Sequence, residues 1–211
     1  IYPRVAVIAE LKNQDGTMKR RQDCYEYARD NNIPLITVQQ LLVAIENLQE
    51  PKLLAECGLK SKIGFDEWKM MCFGNQSKPH KVFIYPYTGL NIDTIVPVRI
   101  HSECFTGDVF KSNHCDCGEQ LEYAMKYIVN SGQGIIIFPS DHEGRGVGIV
   151  HKVKAYKLQK EQGLDTFEAN DNLGLDIDAR AYDDMKRILE YLGIKNIELL
   201  TENPEKVLSL G

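Results

Sequence analysis

The sequence predicts an α/β chain, mixed α+β in detail, and three observations carry that prediction. Short β-branched runs alternate with segments whose apolar residues recur at helical spacing. Gly and Pro punctuate the junctions, and the second half runs helix then strand twice. Val5 to Glu10 reads as a strand, with Asp15-Gly16 as a turn after it. Thr37 followed by Gln40 is a capping box, and Leu41, Leu42, Ile45 and Leu48 place an amphipathic helix ending near Pro51. Residues 1 to 50 are therefore expected as a small N-terminal α/β segment, with a linker and domain boundary near 50 to 60. Strands follow over Trp68 to Phe73, Lys81 to Tyr85 and Ile95 to Ile100, separated by segments holding Gly74, Asn75, Pro79, Pro86 and Gly89. Leu121, Ala124, Met125 and Ile128 form a helical face ending before Gly132, and Gly134 to Phe138 is a buried-strand run. Met185, Ile188, Leu189 and Leu192 form another face ending before Gly193, and Ile197 to Thr201 reads as the last strand. In such an alternation, sites form where strands end and helices begin.

Composition narrows the function classes. The 211 residues are 43% hydrophobic and 26% charged, enough apolar surface for a full core and too much for a disordered tail. With 25 Lys+Arg against 30 Asp+Glu the net charge is -5, so the bulk surface does not attract nucleic acid, and an anionic ligand needs locally concentrated positive charge. No apolar run approaches membrane length and no secretory leader opens the sequence, so neither membrane nor secretion is expected. Six unevenly spaced cysteines are too few for a disulfide scaffold, and a reducing compartment is expected, the cytoplasm or an organelle interior reached by a removed targeting segment.

Three motifs carry chemistry. Cys104, Cys115 and Cys117 form C-x10-C-x-C, while Cys24, Cys57 and Cys72 lie in separate elements, Cys72 at a core strand position. Three converging thiolates suit zinc and leave a fourth position for water, the catalytic arrangement. Three buried free thiols, or a structural site completed by His101 or His114, satisfy the same spacing. Glu143-Gly144-Arg145-Gly146-Val147-Gly148 lies between a strand and a helical stretch with Val153 and Tyr156 on it. Its glycines, with Arg145, Lys152 and Lys154, suit a phosphate, although the dinucleotide fingerprint is absent and a flexible turn fits as well. Asp178-Ala179-Arg180 precedes the last long helix and reads either as a group that positions a leaving phosphate or as a solvated ion pair.

Taken in order, Arg99-Ile100-His101-Ser102-Glu103-Cys104-Phe105-Thr106-Gly107-Asp108, Cys115-Asp116-Cys117-Gly118 with Gln120, Glu143-Gly144-Arg145-Gly146, Glu168-Ala169-Asn170, Asp178-Ala179-Arg180 and Asn203-Pro204 resemble the GTP cyclohydrolase II family. The resemblance covers about residues 55 to 211, so 51–211 is expected as a GTP cyclohydrolase II-like domain. It implies opening of the guanine imidazole ring of GTP with release of formate and pyrophosphate, the first committed step towards riboflavin. It implies one zinc ion per chain on Cys104, Cys115 and Cys117, magnesium on the triphosphate, and a homodimer. It implies that Arg99, His101, Ser102, Glu103, Gln120, Glu143, Gly144, Arg145, Thr166, Thr201 and Lys206 bind the nucleotide, Arg145 and Lys206 at its phosphates. Asp178 is implied as proton acceptor, Arg180 as the group that attacks or stabilises the α-phosphate, and Tyr156 as a neighbour of the reacting centre.

The first 50 residues look like something else. Val5 to Leu11, Asp15-Gly16-Thr17-Met18 and Pro34-Leu35-Ile36-Thr37 resemble the C-terminal end of 3,4-dihydroxy-2-butanone 4-phosphate synthase, with Glu10 where that family has an active-site glutamate. The acidic loop and histidine that the synthase needs are absent from this sequence, so no synthase activity is expected from it.

Three departures from the cyclohydrolase pattern share a sign. His114 stands where the family usually has Arg, Ser140-Asp141-His142 lacks an arginine, and Thr-Asn-Asn-Pro reads Thr201-Glu202-Asn203-Pro204. Each removes positive or adds negative charge, at about 1 kcal/mol per pair beside a triphosphate in water-like surroundings. Either these side chains point away or face magnesium, or the chain is a paralogue. A paralogue acts on another nucleotide, as in pyrimidine or uracil catabolism, or is a catalytically silent nucleotide-binding partner.

Overall fold

Gly134-Ile135-Ile136-Ile137-Phe138 folds as a strand with helices over both faces, which is why its apolar run is unbroken. The computed structural model describes residues 9–41, 51–174 and 178–211. The chain divides into two compact units, 1–49 and 50–211.

In the first unit an antiparallel bridge joins Lys12 to Met18 around the Asp15-Gly16 turn. Helix α1 (Arg21–Asp30) follows, its entry held by the Arg20 amide donating to Asp23 Oδ2 at 2.7 Å. The sequence reading missed α1, whose charged surface leaves Ala28 alone buried. The Thr37 capping box forms reciprocally, Thr37 N to Gln40 Oε1 at 2.8 Å and Gln40 N to Thr37 Oγ1 at 3.1 Å, and helix begins at residue 38. The rest of that helix, and all but the end of the strand expected over Val5 to Glu10, lie outside the described residues.

The second unit is built on a six-stranded sheet. Its strands are β1 (Leu53–Leu59), β2 (Trp68–Asn75), β3 (Lys78–Tyr85), β4 (Val96–Ile100), β5 (Gly134–Phe138) and β6 (Ile197–Leu199). Their order is β1-β2-β3-β5-β4-β6. Pairing is antiparallel from β1 to β5, whereas β4 runs parallel to both β5 and β6. The helices are α2 (Phe105–Asp108), α3 (Cys117–Asn130), α4 (Ile149–Gln162), α5 (Thr166–Asn172), α6 (Asp183–Tyr191) and α7 (Pro204–Leu210). The alternation of β5 sorts its side chains. Ile135 and Ile137 pack with Val82, Val98, Met185 and Ile188 under α6, while Ile136 packs with Trp68, Tyr85 and Ile128 under α3. Each fully buried isoleucine contributes roughly 1.5–3 kcal/mol. No helix among the described residues is long and apolar enough to cross a membrane.

Two expectations are corrected, and two short helices went unread in the sequence. The linker placed near 50 to 60 holds strand β1, an edge strand whose residues are mostly exposed and so carry no apolar alternation. Short helices α5 and α7 occupy stretches to which the sequence reading assigned no element. Cys72 is half-buried between the core residues Met71 and Phe73, so it faces away from the core they form.

Candidate metal centre and active site

Because β4, β5 and β6 run the same way, their carboxyl ends share one edge of the sheet. The segments that leave them bring together the residues after His101, the glycine loop before α4 and the start of α7. There the three cysteines of the motif converge. Cys104 lies at the entry to α2 and Cys117 opens α3, with all three Sγ atoms within 4.8 Å of one another and those of Cys104 and Cys115 3.5 Å apart. Two glycines permit this. A Cβ on Gly107 would meet Cys115 Sγ at 2.7 Å and Cys104 Sγ at 3.2 Å, and one on Gly118 would meet the Gly107 carbonyl at 2.5 Å.

The donor set fits a metal ion. Burial opposes ionisation of Cys104, but hydrogen bonds from Lys152 and the Gly107 amide, with those to Thr106 and Cys115, hold its thiol below the usual range. Burial, with Cys104 and Cys115 as neighbours, pushes the Cys117 thiol up. Three thiolates crowded this closely call for a cation to share. Among the described residues no histidine or carboxylate joins the cluster. His101, one candidate fourth ligand, is buried and bonded through Nε2 to Asp108 Oδ1 at 2.9 Å, and Asp108 Oδ2 accepts from the Cys104 amide at 3.0 Å. His114, the other, stacks on Tyr156 at 4.8 Å between ring centroids.

The cluster opens into a cavity of 330 Å³ that Ser102, Glu103, Gly144, Arg145, Tyr156 and Thr166 also line. A second, of 660 Å³, is lined by Arg99, Gln120, Thr201 and Lys206. Asp116 and Arg180 line both. Arg180 is clamped by Asp178, which accepts from its Nε at 2.8 Å and from NH2. Burial raises the Asp178 carboxyl, but the bonds from Arg180 outweigh it and hold the acid ionised. The pair is therefore half-buried, not a solvated surface pair.

Of the residues singled out from sequence, His101, Glu143 and Asp178 line neither cavity. Glu143 has both oxygens engaged by protein, Oε2 by the Phe105 amide at 2.6 Å and Oε1 by Lys152 Nζ at 2.7 Å and the Gly144 amide at 3.0 Å. It ties the glycine loop to the entry of α2. Lys152, read as a phosphate charge, lines the first cavity and donates to Cys104 Sγ at 3.0 Å, and Lys154 is exposed. Arg145, at φ 61°, stands over the Phe167 ring at 5.0 Å. Its carbonyl accepts from the Ala179 amide at 3.0 Å, and a Cβ on Gly146 would meet Ala179 at 2.9 Å, so the loop is fastened to the Asp178–Arg180 segment. Lys206 is buried, and its Nζ donates to the Ile100 carbonyl at 2.9 Å. Sequence reasoning missed His142 as a wall residue; its only sequence signal is a histidine directly before Glu143-Gly144-Arg145.

A family model described as GTP cyclohydrolase II matches residues 52–211. "Riboflavin biosynthesis protein RibBA" of Bacillus subtilis (strain 168) is 40% identical over 210 residues, covering 99% of this chain and 52% of that protein. The protein of the same name from Aquifex aeolicus (strain VF5) is 39% identical over 213 residues, covering 100% of this chain and 51% of its own length. The chain thus spans about half the length of the curated relatives it matches. A solved structure of RibBX, a two-domain 3,4-dihydroxy-2-butanone 4-phosphate synthase from A. baumannii, aligns at TM-score 0.44 and 17% identity over 92% of this chain and 47% of that one.

Proposed function

This chain is a member of the GTP cyclohydrolase II family, and from that premise we propose that it hydrolyses GTP, opening the guanine imidazole ring and releasing formate and pyrophosphate on the route to riboflavin. The observation that carries the proposal is the convergence of three thiols on a cavity whose wall, at Arg180, is shared with a second cavity holding Lys206. One compartment suits the base and the other the phosphates.

Cys104, Cys115 and Cys117 would hold one zinc ion, for which sulfur donors are well matched. When bound, zinc lowers the pKa of water towards about 7 and so makes a nucleophile available at neutral pH. The protein's own groups do the rest. Tyr156, with its hydroxyl 3.4 Å from Thr106 Oγ1, flanks the base. Asp178, held ionised, accepts a proton. Arg180, its fork fixed on one side by Asp178, attacks or stabilises the α-phosphate. Arg99, Lys206, Gln120 and Thr201, with Arg145 on the first cavity's wall, bind the phosphates, accompanied by magnesium, while Ser102, Glu103, Gly144 and Thr166 orient the nucleoside. His101 and Glu143 act from behind the wall, through Asp108 and the Phe105 amide.

Residues 1–50 are proposed as the C-terminal end of a dihydroxybutanone phosphate synthase domain, and 51–211 as the cyclohydrolase domain. The relatives' similarity across nearly the whole chain supports this. We propose a homodimer in a reducing compartment, the cytoplasm in the simplest case, which suits six free cysteines. Glu202, on the second cavity's wall, favours a second reading in which another nucleotide is the substrate. A panel of GTP, ATP, UTP and CTP offered to the zinc-loaded chain separates them. Formate and pyrophosphate from GTP alone is the expected result, and no product from any nucleotide would leave the chain a silent binding partner.

A further inference from the structure

Arg180 is held from two sides, and only one of them was legible in the sequence. Asp178 takes its Nε and NH2. On the other side NH1 donates to Ser102 Oγ at 3.1 Å, and that hydroxyl lies 3.2 Å from His142 Nδ1. The opposite ring nitrogen, Nε2, is 2.8 Å from the Ala181 carbonyl. A carbonyl only accepts, so Nε2 carries the proton and Nδ1 is left as an acceptor. The Ser102 hydroxyl then has one arrangement that satisfies every partner: it donates to Nδ1 and receives the Arg180 N–H on oxygen.

We propose that His142 is a positioning residue that holds Arg180 in its working orientation through the Ser102 hydroxyl. The histidine grips the arginine twice, at the backbone one residue on and, by way of Ser102, at the guanidinium. It is itself well fixed, with 1% of its surface exposed and its ring edge-on to Tyr182 at 5.0 Å. Burial pushes His142 below the ordinary histidine range, and the nearby Arg180 and Lys206 charges act in the same direction, against the Ala181 bond and Asp141. A neutral ring is the form the relay needs. Of the five guanidinium N–H groups three are then engaged, which leaves one on each terminal nitrogen for a ligand. The inference rests on the proposed phosphate role of Arg180 for its kinetic consequence, but not for its geometry.

Two measurements on the full chain test it. In the ligand-free protein with 15N-labelled arginine, the Arg180 Nε–H signal should be sharp and protected in the parent. It should shift and broaden in both His142→Phe and Ser102→Ala, and stay sharp in Ser102→Thr. An unchanged Arg180 signal in Ser102→Ala or His142→Phe overturns the proposal, and the Ser102 pair decides if His142→Phe does not fold. In turnover of GTP, His142→Phe should lower kcat about tenfold with little change in KM, as one lost charge-assisted hydrogen bond would, and Ser102→Ala should lower kcat to the same extent while also raising KM, because its hydroxyl lines the first cavity. The His142→Phe/Ser102→Ala double variant should have a kcat no lower than that of either single one. Additive losses would make the two residues independent and overturn the relay. A parent that does not turn over GTP refutes the proposed function instead and leaves the nitrogen spectra to judge His142.

Discussion

Lys152 Nζ lies 3.0 Å from Cys104 Sγ and 2.7 Å from Glu143 Oε1, so its ammonium joins the most buried thiol of the cluster to the carboxylate that fixes the glycine loop. Three thiolates around a divalent cation would leave one negative charge in excess, and Lys152 would offset it where water is scarce. The lysine is thereby tied to the thiol cluster as well as to the glycine loop beside which its sequence position suggested phosphate.

Lys152→Met should weaken zinc binding about 10- to 100-fold, the usual loss when an outer partner of a ligand is removed. Competition with a chromophoric chelator measures it, and Lys152→Arg should recover part of the loss. Equal affinity in Lys152→Met would remove Lys152 from the centre.

Gly107→Ala should break the cluster without touching a ligand, because the added methyl would sit 2.7 Å from Cys115 Sγ. We expect about 1–3 kcal/mol of lost stability from overpacking and metal content well below one per chain. Thermal unfolding and metal analysis of the same sample check both.

Lys206 should give the site a pH dependence. Burial lowers its amine to about 8, with Arg99 and Arg180 acting in the same sense against Asp178 and Cys117. Below that value the amine is charged and attracts an anion; above it the charge is lost. Pyrophosphate affinity should therefore fall as pH rises from 7 to 9 in calorimetric titrations. Lys206→Met should bind more weakly at pH 7 and lack this dependence.

The charge departures are unequal in the structure. Glu202 lines the second cavity and His114 the first, but Ser140 Oγ donates to the Lys78 carbonyl at 2.9 Å and lines neither. Glu202→Asn should raise GTP affinity severalfold, consistent with about 1 kcal/mol per charge pair, whereas Ser140→Arg should change it little. A nucleotide titration of both variants distinguishes them, and equal effects would refute this placement.

Strand β5 was legible to the residue because burial on both faces forces an apolar run, and the Thr37 capping box because its chemistry is local. Strand β1 was not, since an edge strand with Glu56 and Cys57 exposed has no face to pattern. The cysteines were legible through spacing alone. Whether Glu143, His101 and Lys152 face a cavity or the layer behind it depends on contacts with segments tens of residues away, to which local pattern is blind.

We propose that the three thiols hold the metal that ring opening of GTP requires. The direct test measures bound zinc and formate release together on the parent and on Cys115→Ser, with Cys72→Ser as a control outside the cluster. One zinc per chain and formate from GTP are expected in the parent and in Cys72→Ser, with both lost in Cys115→Ser. Full zinc retention or undiminished formate release by Cys115→Ser would contradict the account.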